Sequence, residues 1–329
     1  MATHTFEQAQ DRALKAIAEP LLPRFDNLVR NFVLLNTALF AAMAVEIVLL
    51  LLFFTFLAKS ALLAFGLALF FLTVFAYFIL RLYYQTAKPE QLQEIVRQFV
   101  SNYKRVYGYT EANTQAALSL SNACTRLADQ LAGKEAHYYQ PPDFLVFATP
   151  YLEKFSTWWH WQDVHRMREL LLQSSIEQHL HTVRSEPTNW EIHAALGNAY
   201  LHLAELYSSA SRNDLLSSFD SYTQDLPKKF LAASERAIEE FKILKEYAPK
   251  DPWPHLQLAC TYHDLNRPLE EIAEYETLSQ LNPGDQEVLY TLGCLYFAQG
   301  MNGKGLRIYN ELRQSHFEKA DALIQNYGC

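Results

Sequence analysis

Histidine is the residue in this chain best suited to hold a metal or move a proton, and two groups stand close together. His160 and His165 flank the run Trp158-Trp159-His160-Trp161, and His179 and His181 are one residue apart. A metal site on a helix wants two ligands at i, i+4 on one face, with a carboxylate or a third ligand completing the shell. His160/His165 stand at i, i+5, and His179/His181 point to different faces of a helix. Both groups therefore read as helix-surface or packed histidines, and no metal is expected. The three tryptophans read as packing aromatics, with a ligand cage as the lesser alternative. Gly300-Met301-Asn302-Gly303-Lys304-Gly305 falls short of a phosphate-binding loop. Such a loop needs four residues between its first Gly and the Gly-Lys pair, then Ser or Thr; here there are two, then Gly305. These glycines read as a turn. No Ser/His/Asp order and no paired carboxylates suggest a nucleophile with its base. The expectation is a protein that is not an enzyme, with no catalytic residue and no cofactor.

Glu46 is the other residue that invites chemistry, because it sits in a run of apolar residues, 32–57, otherwise broken only by Asn36, Thr37 and Thr55. A carboxyl in such surroundings is costly and often functional. A single acid with no partner makes no proton or ion pathway. The preferred reading is a protonated Glu that hydrogen-bonds within or between hairpins and helps them associate.

The elements around Glu46 set the class of protein. After Lys59-Ser60 comes a second run, 61–80, with no charge. At 1.5 Å per residue each run is long enough to cross a ~30 Å hydrocarbon core, and the short gap leaves room only for a tight turn. Residues 32–83 thus read as a transmembrane helical hairpin, with spans near 32–57 and 61–82. The apolar stretch starts too late and runs too long for a cleavable signal peptide. Arg12, Lys15, Arg24 and Arg30 precede it, and Arg81, Lys88 and Arg97 follow it, whereas the turn carries only Lys59. The positive-inside rule then puts both termini in the cytoplasm. Tyr77, Tyr83 and Tyr84 suit the exit interface. Residues 1–31 read as a cytosolic amphipathic segment, a short interfacial helix bent at Pro20 and Pro23.

Charge and cysteine limit what the remainder binds. Residues 1–88 hold 7 Lys/Arg against 5 Asp/Glu, and residues 89–329 hold 21 against 31. The acidic part argues against nucleic acid, whose affinity comes mainly from phosphate neutralisation. Cys124, Cys260, Cys294 and Cys329 form neither CxxC pairs nor zinc spacings, and read as buried small hydrophobes in a reducing compartment.

A period of 34 residues runs through the C-terminal part. Pro249 and Pro283, Leu258 and Leu292, Cys260 and Cys294, Tyr262 and Tyr296, Tyr275 and Tyr309, and Leu278 and Leu312 are all 34 apart. Units start at Pro252 and Gln286, each with Leu-small-x-x-Tyr in its first half: Leu258-Ala259…Tyr262 and Leu292-Gly293…Tyr296. An earlier unit starts at Trp190, with Leu196-Gly197…Tyr200, and its second half carries Ala237, Phe241 and Leu244. Pro187 and Pro249 are 62 apart, so this unit carries about 28 extra residues; Ser-rich 208–229 reads as the insert. Residues 89–189 read as a helical region with one degenerate repeat, its helices near 90–107, 111–132 and 161–185, and residues 317–329 as a cap.

This pattern over 190–316 resembles the tetratricopeptide repeat, a pair of antiparallel helices per unit. The fold class expected is all-α, a transmembrane helical hairpin followed by an α-solenoid of such pairs. The resemblance implies a concave groove lined by first helices, which holds a protein partner. Its lining residues here are Asn198, Leu201 and His202; Trp253, Leu256, Cys260, His263 and Asp264; and Glu287, Tyr290, Cys294 and Phe297. Family members that grip acidic chaperone tails use Lys and Asn on this face, where this chain has Ala194 and Cys260, so an apolar helix or extended peptide is the expected partner. The reading is a membrane-anchored adaptor or scaffold. Its alternative is a structural subunit of a membrane complex assembled through the hairpin, with homo-oligomerisation open.

Overall fold

The computed structural model describes residues 21–54, 61–106, 114–139, 146–147, 149–211, 221–325 and 327. Among them there are eleven α-helices, one 3-10 turn and no strand. The helices are α1 (Leu21–Leu52), α2 (Leu62–Val106), α3 (Thr114–Gln130), α4 (Thr149–Ser185), α5 (Trp190–Ser211), α6 (Ser221–Tyr247), α7 (Pro252–Asp264), α8 (Pro268–Leu281), α9 (Gln286–Ala298), α10 (Asn302–Gln314) and α11 (Ala320–Ile324); the 3-10 turn, Lys134–His137, lies between α3 and α4. Residues 1–20 of the expected N-terminal segment, the hairpin turn at Lys59-Ser60, Cys329 and the middle of the insert lie outside the described residues. The chain divides into two compact units, residues 1–175 and 176–329.

In the first unit α1 packs along α2, and each of these helices changes character along its length. Phe25, Val29, Phe32 and Asn36 of α1 are buried, as are Tyr77, Leu92, Val96, Phe99 and Tyr103 of α2. Past that end, along 40–51 of α1 and 65–75 of α2, the pair is apolar and bare: Phe40, Val45, Val48 and Leu51 of α1 and Phe65, Leu69, Leu72 and Phe75 of α2 are exposed. Both helices are long and apolar enough to cross a membrane. Phe40 meets Tyr77 at 5.1 Å and Phe32 meets Tyr84 at 6.0 Å between ring centroids, which fixes the antiparallel register. In the apolar part Thr73 Oγ1 donates to Glu46 Oε1 at 2.8 Å, so the carboxyl finds a partner inside its own hairpin.

Several helices carry a proline without breaking. Pro23 stands in the first turn of α1, where its missing N–H has no intrahelical partner to lose, so residues 21–31 continue straight into the apolar helix without the expected bend. Pro89 lies inside the 45 residues of α2, so the helix expected near 90–107 is the last part of α2 and not a separate one. An internal proline costs about 3 kcal/mol. Here the chain is held on both sides of it, by the Lys88–Asp163 ion pair at 2.6 Å and by buried Leu92. Likewise the stretch around Pro150 and Trp158–Trp161 is one continuous 37-residue helix, α4, with Pro150 in its first turn.

In the second unit each helix packs on its neighbour in the chain: α5 on α6, α6 on α7, α7 on α8, α8 on α9, α9 on α10, and α11 on α9 and α10. The turns between them recur with the 34-residue spacing. Asp251 and Asp285 cap α7 and α9, their carboxylates accepting from Trp253 N and from Glu287 N and Val288 N. Asn189 does the same at the head of α5, its side-chain oxygen accepting from Glu191 N. Asn266 and Gly300, 34 apart, take positive φ of 54° and 69° at the ends of α7 and α9. The next residues, Arg267 and Met301, donate back to Tyr262 O and Tyr296 O at 2.9 and 2.8 Å. One left-handed residue followed by this six-residue bond is how a helix commonly stops.

Close approach at the small positions is also visible. A Cβ on Gly197 would lie 2.8 Å from the Phe241 ring, and one on Gly293 would lie 2.8 Å from Leu323 and 3.1 Å from Ile308. The extra residues of the Trp190 unit do not form only a loop. α5 is 22 residues long and α6 is 27, against 13 or 14 for each of α7 to α10, so 208–211 and 221–229 are helical extensions of the pair. Ala210 and Leu226 are buried on these extensions, which gives the added turns an apolar reason to stay helical.

Candidate functional site

The residues expected to line a groove fall into three kinds. Leu256, Cys260, His263 and Asp264 are exposed along one face of α7, as is His202 on α5; Asn198 is half-buried. Leu201 and Trp253 are half-buried and pack on the core of Ile238, Phe241, Leu258 and Tyr262, with Trp253 edge-on to Phe241 at 5.6 Å. Tyr290 and Cys294 pack beside the core of α9 to α11, and Tyr290 meets Phe317 at 6.0 Å. Phe297 does not belong with them. It is 1% exposed, packed in the same core as Leu312 and Leu323 and against the backbone of Gly305, where a Cβ would come within 2.6 Å of its ring. Its position near the end of α9 turns it inward against α10, so it is a core residue rather than a contact for a partner. The face that remains open is that of α7.

The same unit buries polar groups that the sequence reading missed. His193 Nδ1 lies 2.6 Å from Glu240 Oε2, and His255 Nδ1 lies 2.5 Å from Glu274 Oε2. His193, His255 and Glu274 are buried. The two histidines are 62 residues apart, as Pro187 and Pro249 are, and the two glutamates are 34 apart. Both pairs thus join the fourth residue of a first helix to the same level of the second helix. In the last pair these positions are Leu289 and Ile308, both part of the apolar core. The signal was present in the sequence as His193/His255 and Glu240/Glu274 at the period already found. Hydrophobic periodicity passes over such residues because His and Glu are usually counted as surface.

Further polar links tie α8 to α6, α9 and α10. Lys245 Nζ donates to Glu274 Oε1 at 2.7 Å, and Tyr296 OH and Lys304 Nζ both donate to Glu276 Oε1 at 2.6 and 2.7 Å. The hydrogen bonds from Lys304 and Tyr296 hold the Glu276 carboxyl below its ordinary range. Cys260 is exposed rather than buried as expected, and its thiol is pushed up by partial burial and by the nearby Asp264 and Glu271 charges. Cys124 is fully buried, which raises its thiol to about 12.

The first unit has its own polar cluster. Asp163 is largely buried and faces Lys88 Nζ at 2.6 Å and His160 Nδ1 at 3.5 Å. Burial pushes its carboxyl up, but the hydrogen bond to His160 and the Lys88 charge outweigh this and hold it below the ordinary range. Lys88 also sits over the Phe32 ring at 3.8 Å. Asp26 accepts from Lys134 Nζ at 3.0 Å and from Tyr138 OH at 3.2 Å. These contacts tie the base of the hairpin to the 3-10 turn and to α4. His160, His165 and His179 are buried and His181 is exposed. Trp161 stacks on His165 at 4.8 Å, as packing aromatics do. Beside the cluster a cavity of about 420 Å³ opens between α1, Tyr139 and α4. It is lined by Asn36, Thr37, Phe40, Ala41, Ala44, Tyr139, Phe155 and Trp159.

The fold defines an all-helical protein with two helices long and apolar enough to span a membrane, joined in one chain to a second helical unit. In sequence the chain matches no known protein family and no curated protein.

Proposed function

We propose that the chain is a membrane-anchored adaptor. In this reading α1 and α2 cross the bilayer as a hairpin with both termini cytoplasmic. Residues 190–316 form a short solenoid of tetratricopeptide-like pairs that hold a protein partner. The bareness of the hairpin supports the anchor: only 11% and 6% of the most apolar windows of α1 and α2 is buried, whereas a core helix would be covered. The nearest-neighbour packing of α5 to α11 and the recurring caps, turns and His–Glu levels support the solenoid, in which each unit contacts only its neighbours.

The observation that carries the adaptor reading is the open face of α7. Leu256, Cys260, His263 and Asp264 point away from the core on a helix whose other side is buried through Leu258, Ala259 and Tyr262. An apolar residue and a thiol beside a His and an acid suit an apolar helix or extended peptide with a cationic end. The test is a pull-down with detergent-solubilised full chain and with a Leu256→Glu/Cys260→Glu variant of unchanged helicity. Partners retained equally by both sink the reading.

One observation favours the structural-subunit alternative. Glu46 Oε2 is buried and accepts no hydrogen bond among the described residues, leaving an acceptor that a second hairpin could meet. Cross-linking in the bilayer that is lost in Glu46→Ala, with the pull-down unaffected, would favour that alternative.

A further inference from the structure

The cavity in the first unit lies at a definite depth. Phe40 pairs with Tyr77 and Phe32 with Tyr84, so Arg81 of α2 is level with Asn36 of α1. From Asn36 to the end of α1 at Leu52 is about 24 Å at 1.5 Å per residue, most of a ~30 Å hydrocarbon core. Asn36 and Arg81 therefore stand at the cytoplasmic boundary of the proposed span. The cavity starts at that boundary and runs along Phe40, Ala41 and Ala44 toward the membrane interior, for about 12 Å of helix.

Three features at this level suit one kind of ligand. The walls are apolar and aromatic: Phe40, Phe155, Trp159 and Tyr139. A cation stands behind one wall. Arg81 does not line the cavity itself but lies over the ring of Trp159, which does, at 5.0 Å, and donates to Tyr77 OH at 3.4 Å; no carboxylate pairs with it among the described residues. The mouth also holds an unspent donor, since Asn36 is buried, lines the cavity, and its Nδ2 meets no acceptor among the described residues. A pocket of this volume with a few placed polar groups is in the usual range for a small ligand.

The near end of α4 extends the same surface. Val146, Phe147, Tyr151, Phe155 and Trp158 are all exposed, with Phe147 at 75% and Tyr151 at 76%. Tyr151, Phe155 and Trp158 follow an i, i+4, i+7 spacing and share one face of α4. Aromatic residues on one face at headgroup level are what an interface-resident helix presents. The apolar surface of the hairpin is thus continuous with an aromatic face that closes one side of the cavity.

We propose that this cavity binds an anionic membrane phospholipid: one acyl chain lies along Phe40 and Ala44 against Phe155 and Trp159, and the phosphate–glycerol end meets Arg81 and Asn36. The site rests on the membrane reading of the hairpin. A basic residue between helices at the cytoplasmic boundary is a recognised way of holding an anionic headgroup, and an apolar slot beside it selects a lipid over a soluble phosphate. Ala41 and Ala44 are exposed at the slot, so filling them changes the cavity and not the core.

The experiment uses the full chain in bilayer discs of equal parts phosphatidylcholine and phosphatidylglycerol, released into mild detergent and weighed by native mass spectrometry. The wild-type chain should retain one phospholipid, enriched several-fold in phosphatidylglycerol. Ala41→Phe and Ala44→Phe should lose the retained lipid. Arg81→Gln should keep a lipid without the enrichment, and Arg81→Lys should restore part of it. Equal retention by the Phe variants, or unchanged enrichment in Arg81→Gln, overturns the site. Alkaline carbonate extraction of the same preparations separates the two claims: a chain released from the bilayer removes the hairpin reading itself, and the site with it. A chain that stays embedded but fails the lipid test removes the site alone.

Discussion

His193 lies between two acceptors, Glu240 Oε2 at 2.6 Å from its Nδ1 and the Pro187 carbonyl at 3.0 Å from its Nε2. A carbonyl only accepts, and an ionised carboxylate only accepts, so the two bonds are made together when both ring nitrogens carry protons. His193 is thereby a clamp between the loop before α5 and the second helix of the pair, and it is strongest in its charged form. Burial alone would lower its pKa, but the hydrogen bonds to Glu240 and Pro187 and the Glu240 charge raise it above 6.5.

The pH dependence follows from that sign. A histidine whose folded pKa is raised contributes stability fully present below its unfolded pKa of 6.5 and lost as pH rises through the folded value. His179 acts oppositely. Burial lowers it to about 4, so its contribution is full above 6.5 and fades as pH falls toward 4. Amide exchange in α5 and α6 should accelerate as pH rises past neutrality, after correction for intrinsic exchange. In Glu240→Gln that corrected rise should flatten. A corrected rate that is pH-independent in the wild type would contradict the clamp.

The second His–Glu level predicts a reversal between single and double substitutions. Removing one partner of a buried hydrogen bond costs about 1–3 kcal/mol when the other is left unsatisfied, so Glu274→Ala, which strips both His255 and Lys245 of their acceptor, should destabilise more than His255→Ala, which leaves Glu274 bonded to Lys245. Replacing the pair by the residues found at the same level of the last unit, His255→Leu with Glu274→Ile, should recover most of that loss, since apolar replacements of buried pairs are often neutral or better. Thermal unfolding of the solubilised chain measures both. Losses that merely add would show that the two side chains are not coupled.

How much of this was legible in sequence varies by kind of signal. Spacing carried well: the 34-residue period placed the starts of α5, α7 and α9 at Trp190, Pro252 and Gln286, where those helices begin. The two apolar runs appear as α1 and α2. Local breakers misled, because the cost of a proline depends on its turn and on what holds its flanks; Pro23 costs nothing in a first turn, and Pro89 is held by Lys88 and Leu92. The Ser-rich stretch read as an insert could not announce that it lengthens α5 and α6, since Ala210 and Leu226 become buried only once both helices extend. Phe297 and the His–Glu levels were missed for one reason. Side-chain direction at a helix end and polar pairing across helices are tertiary facts, and residue type alone suggests the opposite environment for each.

Gly293 gives a test of close helix packing. A Cβ there already comes within 2.8 Å of Leu323 on α11 and 3.1 Å of Ile308 on α10, so Gly293→Leu must push two helices aside and should cost about 1–3 kcal/mol. The loss should concentrate at the C-terminal end, with exchange fastest in α11. Gly284 is a control within the same unit, because nothing lies within 4 Å of a Cβ there; Gly284→Ala should leave the melting temperature nearly unchanged. Equal effects at the two glycines would contradict the packing of α9 against α10 and α11.

The groove reading is tested by setting an exposed residue against a buried one. Leu256 is 40% exposed on α7 and Phe297 is 1% exposed beneath α10. If the α7 face is where a partner sits, Leu256→Ala should weaken binding by about 1–3 kcal/mol and leave stability within about 0.5 kcal/mol. Phe297→Ala should do the reverse, lowering stability by about 3–5 kcal/mol through the cavity it leaves and changing affinity only as the fold fails. Affinity and unfolding are to be measured on the same preparations below the melting temperature of each variant. A Leu256 variant that binds normally, beside a Phe297 variant that is unstable yet binds normally while folded, would remove the α7 face from the function. The hairpin, with its unspent Glu46 oxygen, would then be the better place to look for the contact that matters.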